Sequence, residues 1–248
     1  MPEFTHRFRS AALQNERTLW LRPPANLAAP CHLAIFLDGE LYRDHVGVPA
    51  LIDTLAAGSP ISTALAQTLV VYVSHHSEAA RWLECPCYPP FATFMRDELL
   101  PWLESQYPGI RISPTLKPAP IRLLAGLSYT GLAAAWVAQQ APGAFNRVIA
   151  QSGSFWSDDC WLTRHYAAEA THLPADFYLD VGRRETQENI THHPGVVQVV
   201  SQITGVKKFR DVLLAQGHRV KYVEFDGGHS FPHWRTTLPD ALIWAFTT

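Results

Sequence analysis

Residues 121–127 form an apolar, β-prone run that passes through Ser128-Tyr129-Thr130-Gly131 into Leu132-Ala133-Ala134-Ala135-Trp136-Val137-Ala138, a strong helix former. A strand that turns this tightly into a helix constrains the chain more than any other stretch. Small residues are needed because strand and helix approach closely at such a turn. A serine held there has its hydroxyl lifted clear of the sheet edge. The next backbone N–H lies at a helix N-terminus, where developing negative charge is stabilised. Ser128 is therefore a candidate nucleophile. The fifth position of the usual Gly-x-Ser-x-Gly pattern carries Thr130, with a glycine one place later at Gly131. The short threonine is expected to be tolerated with some crowding.

A serine needs a general base, and the base needs an orienting acid. Residues 176–182 read as a buried strand ending in Gly182, followed by Arg183-Arg184-Glu185. Residues 219–225 alternate as a strand does and run into Asp226-Gly227-Gly228-His229, a loop whose paired glycines allow a histidine to stand above the sheet. The order Ser128, Glu185, His229 places each residue just past a strand end. Asp180 competes with Glu185 for the acid, but it lies within its strand, where its side chain is expected to point into packing. Taken singly, Ser128 is more often a turn residue, His229 a loop histidine bonded to backbone, and Glu185 a solvated charge at a helix start. Their order carries the reading.

Length and composition set the outer limits. A chain of 248 residues suits one large domain, here residues 1–248. Hydrophobic residues at 47% and charged residues at 17% indicate a packed globule. A net charge of −2 offers no basic surplus for nucleic acid. The N-terminus lacks the apolar core of a signal peptide, and no run is long enough to span a bilayer, so no membrane partner and a cytoplasmic location are expected. Four cysteines make no disulfide framework, and Cys85-Pro86-Cys87 is too tight for an ordinary zinc pair. The adjacent pairs His75-His76 and His192-His193 point in different directions on any regular element. Neither a metal nor another cofactor is expected.

Residues 4–12 and 17–22 read as an antiparallel hairpin within residues 1–24, closed at Pro23-Pro24. Strands follow at 32–37, 68–73, 121–127, 146–151, 176–182 and 219–225. Helices are expected at 48–55, 91–106, 161–170, from 196 to 216 after a break at Pro194-Gly195, and at 231–246. Strands alternating with helices give the α/β class, with a mainly parallel sheet covered by helices on both faces. The ligand then sits at the carboxyl ends of the strands.

Several blocks resemble the esterase branch of the α/β-hydrolases, and within it the enterochelin (ferric enterobactin) esterases. They are Leu37-Asp38-Gly39-Glu40, Arg81-Trp82-Leu83-Glu84-Cys85-Pro86-Cys87, Phe91 with Asp97-Glu98-Leu99-Leu100-Pro101-Trp102, Ala125-Gly126-Leu127-Ser128-Tyr129, Gln151-Ser152-Gly153-Ser154-Phe155-Trp156, Val181-Gly182-Arg183-Arg184-Glu185, and Gly227-Gly228-His229 with Trp234-Arg235. They span residues 31–246. The resemblance implies an α/β-hydrolase fold in its compact form, with Ser128 as nucleophile, His229 as base and Glu185 as acid. It implies an oxyanion hole built from the backbone amides of Glu40 and Tyr129. Arg81, Trp156 and Arg183 are expected to bind a small-molecule ester, a ferric catecholate siderophore being the favoured one. A general carboxylesterase, a feruloyl or acetyl esterase, an acyltransferase and a non-catalytic siderophore binder are the alternatives. Three departures bear on the pocket: Thr130 replaces a glycine, Tyr88 stands where those esterases tend to have asparagine, and residues 186–207 make a longer segment.

Overall fold

The computed structural model describes residues 3–111, 118–169 and 174–247. Its strands are β1 (Phe4–Ser10), β2 (Asn15–Arg22), β3 (His32–Leu37), β4 (Thr68–Val73), β5 (Arg122–Leu127), β6 (Arg147–Gln151), β7 (Asp176–Gly182), β8 (Ile190–His193), β9 (Val196–Gln198) and β10 (Val220–Phe225). Successive strand residues face opposite sides of a sheet, and the central strands are apolar on both. Leu33, Ile35 and Leu37 of β3 enter one core with Leu69 and Val71 of β4. Ala34 and Phe36 enter a second core with Val70 and Tyr72. A sheet with two apolar faces needs two covers. Helices Tyr129–Gln140 and Gln202–Ala215 cover the first face, and Val48–Gly58 and Phe231–Thr247 the second.

The eight-stranded sheet has the order β1-β2-β4-β3-β5-β6-β7-β10. β1 and β2 form the expected antiparallel hairpin, β2 joins β4 antiparallel, and every other neighbouring pair is parallel. The fold is that of an α/β-hydrolase. From β3 the chain moves outward to β4 and then returns to the other side of β3 as β5. This reversal opens a crevice beyond the carboxyl ends of β3 and β5, the usual ligand position in such sheets.

One expectation is corrected. The segment after the Pro194-Gly195 break is not helical at first: Val196–Gln198 is β9, paired antiparallel with β8. The Pro-Gly turn and two β-branched valines favour a hairpin, and the helix starts only at Gln202, where the Ser201 side chain accepts from Thr204 N–H. The helix expected over 91–106 is present as one continuous run from Pro89 to Gln106, with a π-helical turn over Phe94–Leu99 in its middle. Pro101 lies inside this helix, and the π turn just before it, with Leu100 N–H on the Met95 carbonyl, accommodates the N–H that the proline cannot supply. The helix expected from 161 starts there: Asp158, Asp159 and Cys160 hold left-handed dihedrals (φ 48, 50 and 57) and make a turn ahead of it, and it runs to Ala168, residue 170 lying outside the described residues. Among the described residues, no helix is long and apolar enough to cross a membrane.

Candidate active site

Ser128 follows β5 directly, with φ 54 and ψ −123. This is a strained conformation for a residue with a Cβ, and such strain persists only where the surroundings fix it. Here they do. Ser128 N–H donates to the Gln151 carbonyl at 2.8 Å, and the Ser128 carbonyl accepts from the N–H groups of Gly131 and Ser154, each at 3.0 Å. Gly126 makes the turn possible: a Cβ there would lie 2.0 Å from the Thr130 carbonyl oxygen, far inside contact. Tyr129 is the first residue of its helix, so its N–H has no intrahelical acceptor.

Thr130 is integrated rather than merely crowded. Its buried Oγ1 accepts from Leu127 N–H at 3.0 Å, and its own proton lies between the Leu127 carbonyl (2.8 Å) and Asp38 Oδ2 (3.1 Å). Asp38 ends the neighbouring strand β3, so the hydroxyl ties the loops on both sides of the crevice together. A glycine supplies no such tie.

His229 and Glu185 converge on the serine. Ser128 Oγ and His229 Nε2 are 2.9 Å apart, and His229 Nδ1 lies 2.6 Å from Glu185 Oε2. A carboxylate only accepts, so Nδ1 carries the proton and Nε2 is left to accept from the serine hydroxyl. Glu185 is held from both sides. Its other oxygen, Oε1, accepts from Ser152 Oγ and from Gly182 N–H, each at 2.7 Å. A Cβ at Gly182 would press on Oε1 at 2.8 Å and on the Gly227 carbonyl at 2.5 Å. Trp234 Nε1–H donates to Ser152 Oγ at 3.0 Å and so orients the hydroxyl that holds Glu185.

Asp180 does not reach the histidine. It is fully buried on β7 and accepts from Ser152 N–H (3.0 Å) and Thr237 Oγ1 (2.8 Å). Burial pushes its carboxyl up to about 7 against the hydrogen bonds from Thr237, Ser152 and Gln151. A carboxyl with a raised folded pKa binds its proton more tightly when folded, and stability then falls as pH rises from the unfolded value near 4, roughly, through the folded one. The protein is expected to lose stability between pH 5 and pH 8, and Asp180→Asn to flatten that loss, read as urea midpoints at the two pH values.

Two hollows meet at Ser128 and His229. The first, about 450 Å³, is walled by Trp82, Tyr129, Trp156, Ile190, His192 and Arg184 among others. The second, about 520 Å³, is lined by Leu41, His75, Glu78, Arg81, Phe231 and Trp234. Three expected substrate contacts fare differently. Arg81 borders both hollows, but its guanidinium is engaged by Asp38, with Nε 2.8 Å and Nη2 2.8 Å from Oδ2. Burial alone pushes the Asp38 carboxyl up, yet Arg81 and a hydrogen bond from His75 outweigh it and hold the group below its usual range. Trp156 lines the first hollow, but one face is stacked on His192 (5.0 Å between centroids) and its Nε1–H donates to Gln202 Oε1. Arg183 is not part of the wall; Arg184 is. Backbone N–H groups of both extend the β10 side, Arg183 on the Phe225 carbonyl and Arg184 on the Gly227 carbonyl, and Arg184 is the one that borders the cleft.

The β8–β9 hairpin was not foreseen as a wall. It brings Ile190, His192 and Gln198 to the first hollow, and His193 stacks on Trp82 at 5.4 Å. The long 186–207 segment was the signal for it. Tyr88 packs against the core and is absent from the cleft. Among the described residues no three His, Cys, Asp or Glu side chains form a metal-binding group.

A family model described as "Putative esterase" matches residues 10–245. An iron(III) enterobactin esterase of Dickeya dadantii is 26% identical over 97% of this chain and 54% of its own length. The chain thus spans about half the length of the curated relatives it matches. The enterobactin esterase of Shigella flexneri, solved in the presence of enterobactin, superposes with a TM-score of 0.75 at 22% identity, over 99% of this chain and 58% of that one. A ferulic acid esterase superposes with a TM-score of 0.74 at 16% identity, over 99% and 98% of the two chains.

Proposed function

The chain belongs to the esterase family whose model it matches over residues 10–245, and we propose that it is a serine esterase whose substrate is a catecholate siderophore built on serine esters. The observation that carries the chemistry is the hydrogen-bonded series from Ser128 through His229 to Glu185 at the meeting point of two hollows. Ser128 Oγ attacks the ester carbonyl carbon as His229 Nε2 takes its proton. The carbonyl oxygen becomes an oxyanion and is met by the backbone amides of Glu40 and Tyr129, both at helix starts. As the tetrahedral adduct collapses, the C–O bond to the alcohol breaks and His229 protonates the departing oxygen. Water then attacks the acyl-enzyme with His229 again taking a proton, releasing the acid and restoring the serine. Glu185, held by three donors, keeps the imidazole in the productive tautomer and stabilises the imidazolium.

The siderophore reading is supported by the names of the relatives and by the first hollow. Trp82, Tyr129 and Trp156 give aromatic surfaces for planar rings, and the exposed Arg184 adds positive charge for an anionic ferric catecholate. The feruloyl alternative is favoured by one observation, the fold-level match to a ferulic acid esterase over nearly the whole of that chain. Incubating the protein with iron-loaded enterobactin, iron-free enterobactin and methyl ferulate, with products followed by mass spectrometry, separates them. Linear dihydroxybenzoyl-serine products are expected, formed at least ten times faster than ferulate. Ferulate release with intact enterobactin would replace the siderophore reading with the second one.

A further inference from the structure

The residue expected to supply one oxyanion amide carries a carboxylate, which is an awkward neighbour for a forming oxyanion. Glu40 lies two residues beyond Asp38, past the end of β3, and its side chain is about one quarter exposed. The carboxylate is in reach of its own backbone N–H, the same N–H that the proposed reaction requires. An uncompensated carboxylate beside that amide opposes a second negative charge forming there.

His75 holds the same carboxylate from the other side. Leu37 of β3 and Val73 of β4 are register partners, so the loops that follow emerge side by side. His75 engages both Glu40 oxygens: its backbone N–H donates to Oε2 at 3.2 Å, and its ring Nδ1 lies 3.3 Å from Oε1. The same Nδ1 lies 3.2 Å from Asp38 Oδ1. Asp38 is fixed in turn by Arg81 and by Thr130 of the serine turn. The ring also borders the second hollow together with Ser128 and His229.

We infer that His75 is a positioning residue of the oxyanion site, fixing the Glu40 carboxylate beside the Glu40 backbone amide and balancing its charge. The inference rests on the reading that this amide meets the oxyanion. The charged groups that face His75 are Asp38, Glu40 and Arg81, with Glu78 on the exposed start of the next helix lining the same hollow. With an imidazolium at 75, the charges of Asp38, Glu40, Arg81 and His75 cancel. Without it, a net negative charge is left where another must form. The hydrogen bond to Asp38 and the nearby Glu40 charge raise the His75 pKa against the effects of burial and Arg81, so the imidazolium is present below that raised value and lost above it.

Four proteins test this with p-nitrophenyl butyrate from pH 6 to pH 10: the wild type, His75→Ala, Glu40→Ala and the double variant, with His75→Asn as a neutral replacement that keeps a side-chain N–H. Alanine at 40 removes the competing carboxylate and keeps the backbone amide. His75→Ala is expected to lower kcat about ten- to hundredfold with KM within about twofold, by analogy with the loss of one oxyanion donor. In the Glu40→Ala background the same substitution should cost less than about threefold. The wild type should show an alkaline fall of kcat that is absent from His75→Asn and Glu40→Ala. Equal kcat in His75→Ala, His75→Asn and wild type overturns the inference, as does a His75→Ala loss of undiminished size in the Glu40→Ala background. A wild type that neither hydrolyses the ester nor reacts with an organophosphonate at Ser128 overturns the esterase reading itself, and the inference with it. An active wild type with an equally active His75→Ala overturns the inference alone.

Discussion

Ser128→Ala is expected to lower kcat for any ester the protein hydrolyses by roughly ten-thousand- to million-fold, the range seen when a serine nucleophile is removed from an intact site. The size follows from what remains. The two amides at helix starts and the hollows still bind and polarise the ester, but no atom can form the acyl intermediate, and His229 is left with water in a place shaped for an alkoxide. The fold should be unaffected. The turn is fixed by the backbone contacts of residue 128 with Gln151, Gly131 and Ser154, none of which uses the hydroxyl. Alanine tolerates the strained φ no worse than serine. The checks are single-turnover and steady-state hydrolysis beside a thermal melt, together with an organophosphonate that labels the wild type and not the variant. A variant with near-native turnover, or one still labelled, would mean that the nucleophile is another residue. The same labelling disposes of a non-catalytic siderophore binder, because a carrier has no reason to keep an activated hydroxyl.

The sequence exposed those parts of the site that depend on local backbone pattern. A strand, a small-residue turn and an alanine-rich helix can form in few ways, so Ser128 was legible. Glu185 and His229 were legible because each follows a strand end marked by glycine. The network around Asp38 was not. It is made by side chains from β3, from the loop after β4, from the helix at Glu78–Glu84 and from Thr130, up to 92 residues apart. No spacing rule links them until the strand order is known. The same reason explains Arg81, whose pairing with a buried carboxylate at the border of both hollows has no sequence signature. The choice between Arg183 and Arg184 turned on one residue of register past β7, which composition does not fix. β9 was misread as the start of a helix because a run of polar and β-branched residues around Pro-Gly has no strong period. The two histidines of the β8–β9 hairpin then cover faces of Trp156 and Trp82 that the sequence left open. The fold was legible in its strands and less so in its insertions, and the insertions shape the pocket.

Glu185→Gln is expected to lower kcat by about a thousand- to ten-thousandfold with the melting temperature nearly unchanged, as with the loss of the orienting acid in other serine hydrolases. The direction comes from the donors around the side chain. Ser152 O–H and Gly182 N–H both point at the position of Oε1, so the glutamine must place its carbonyl oxygen there to satisfy them. Its NH₂ then faces His229 Nδ1, which can no longer carry a proton and must accept one instead. The imidazole switches to the Nε2–H tautomer, and the atom that should take the serine proton already holds one. Asp180→Asn makes the contrast. Asp180 touches Ser152 through the backbone N–H and Thr237 through its hydroxyl, and neither contact sets the histidine tautomer. Its substitution should cost less than about tenfold in kcat while changing the pH dependence of stability. Kinetics of both variants across pH, beside their melts, decide between them. If the larger catalytic loss fell on Asp180→Asn with folding intact, the charge that supports the imidazolium would reside on β7, and the 2.6 Å contact between His229 and Glu185 would be structural.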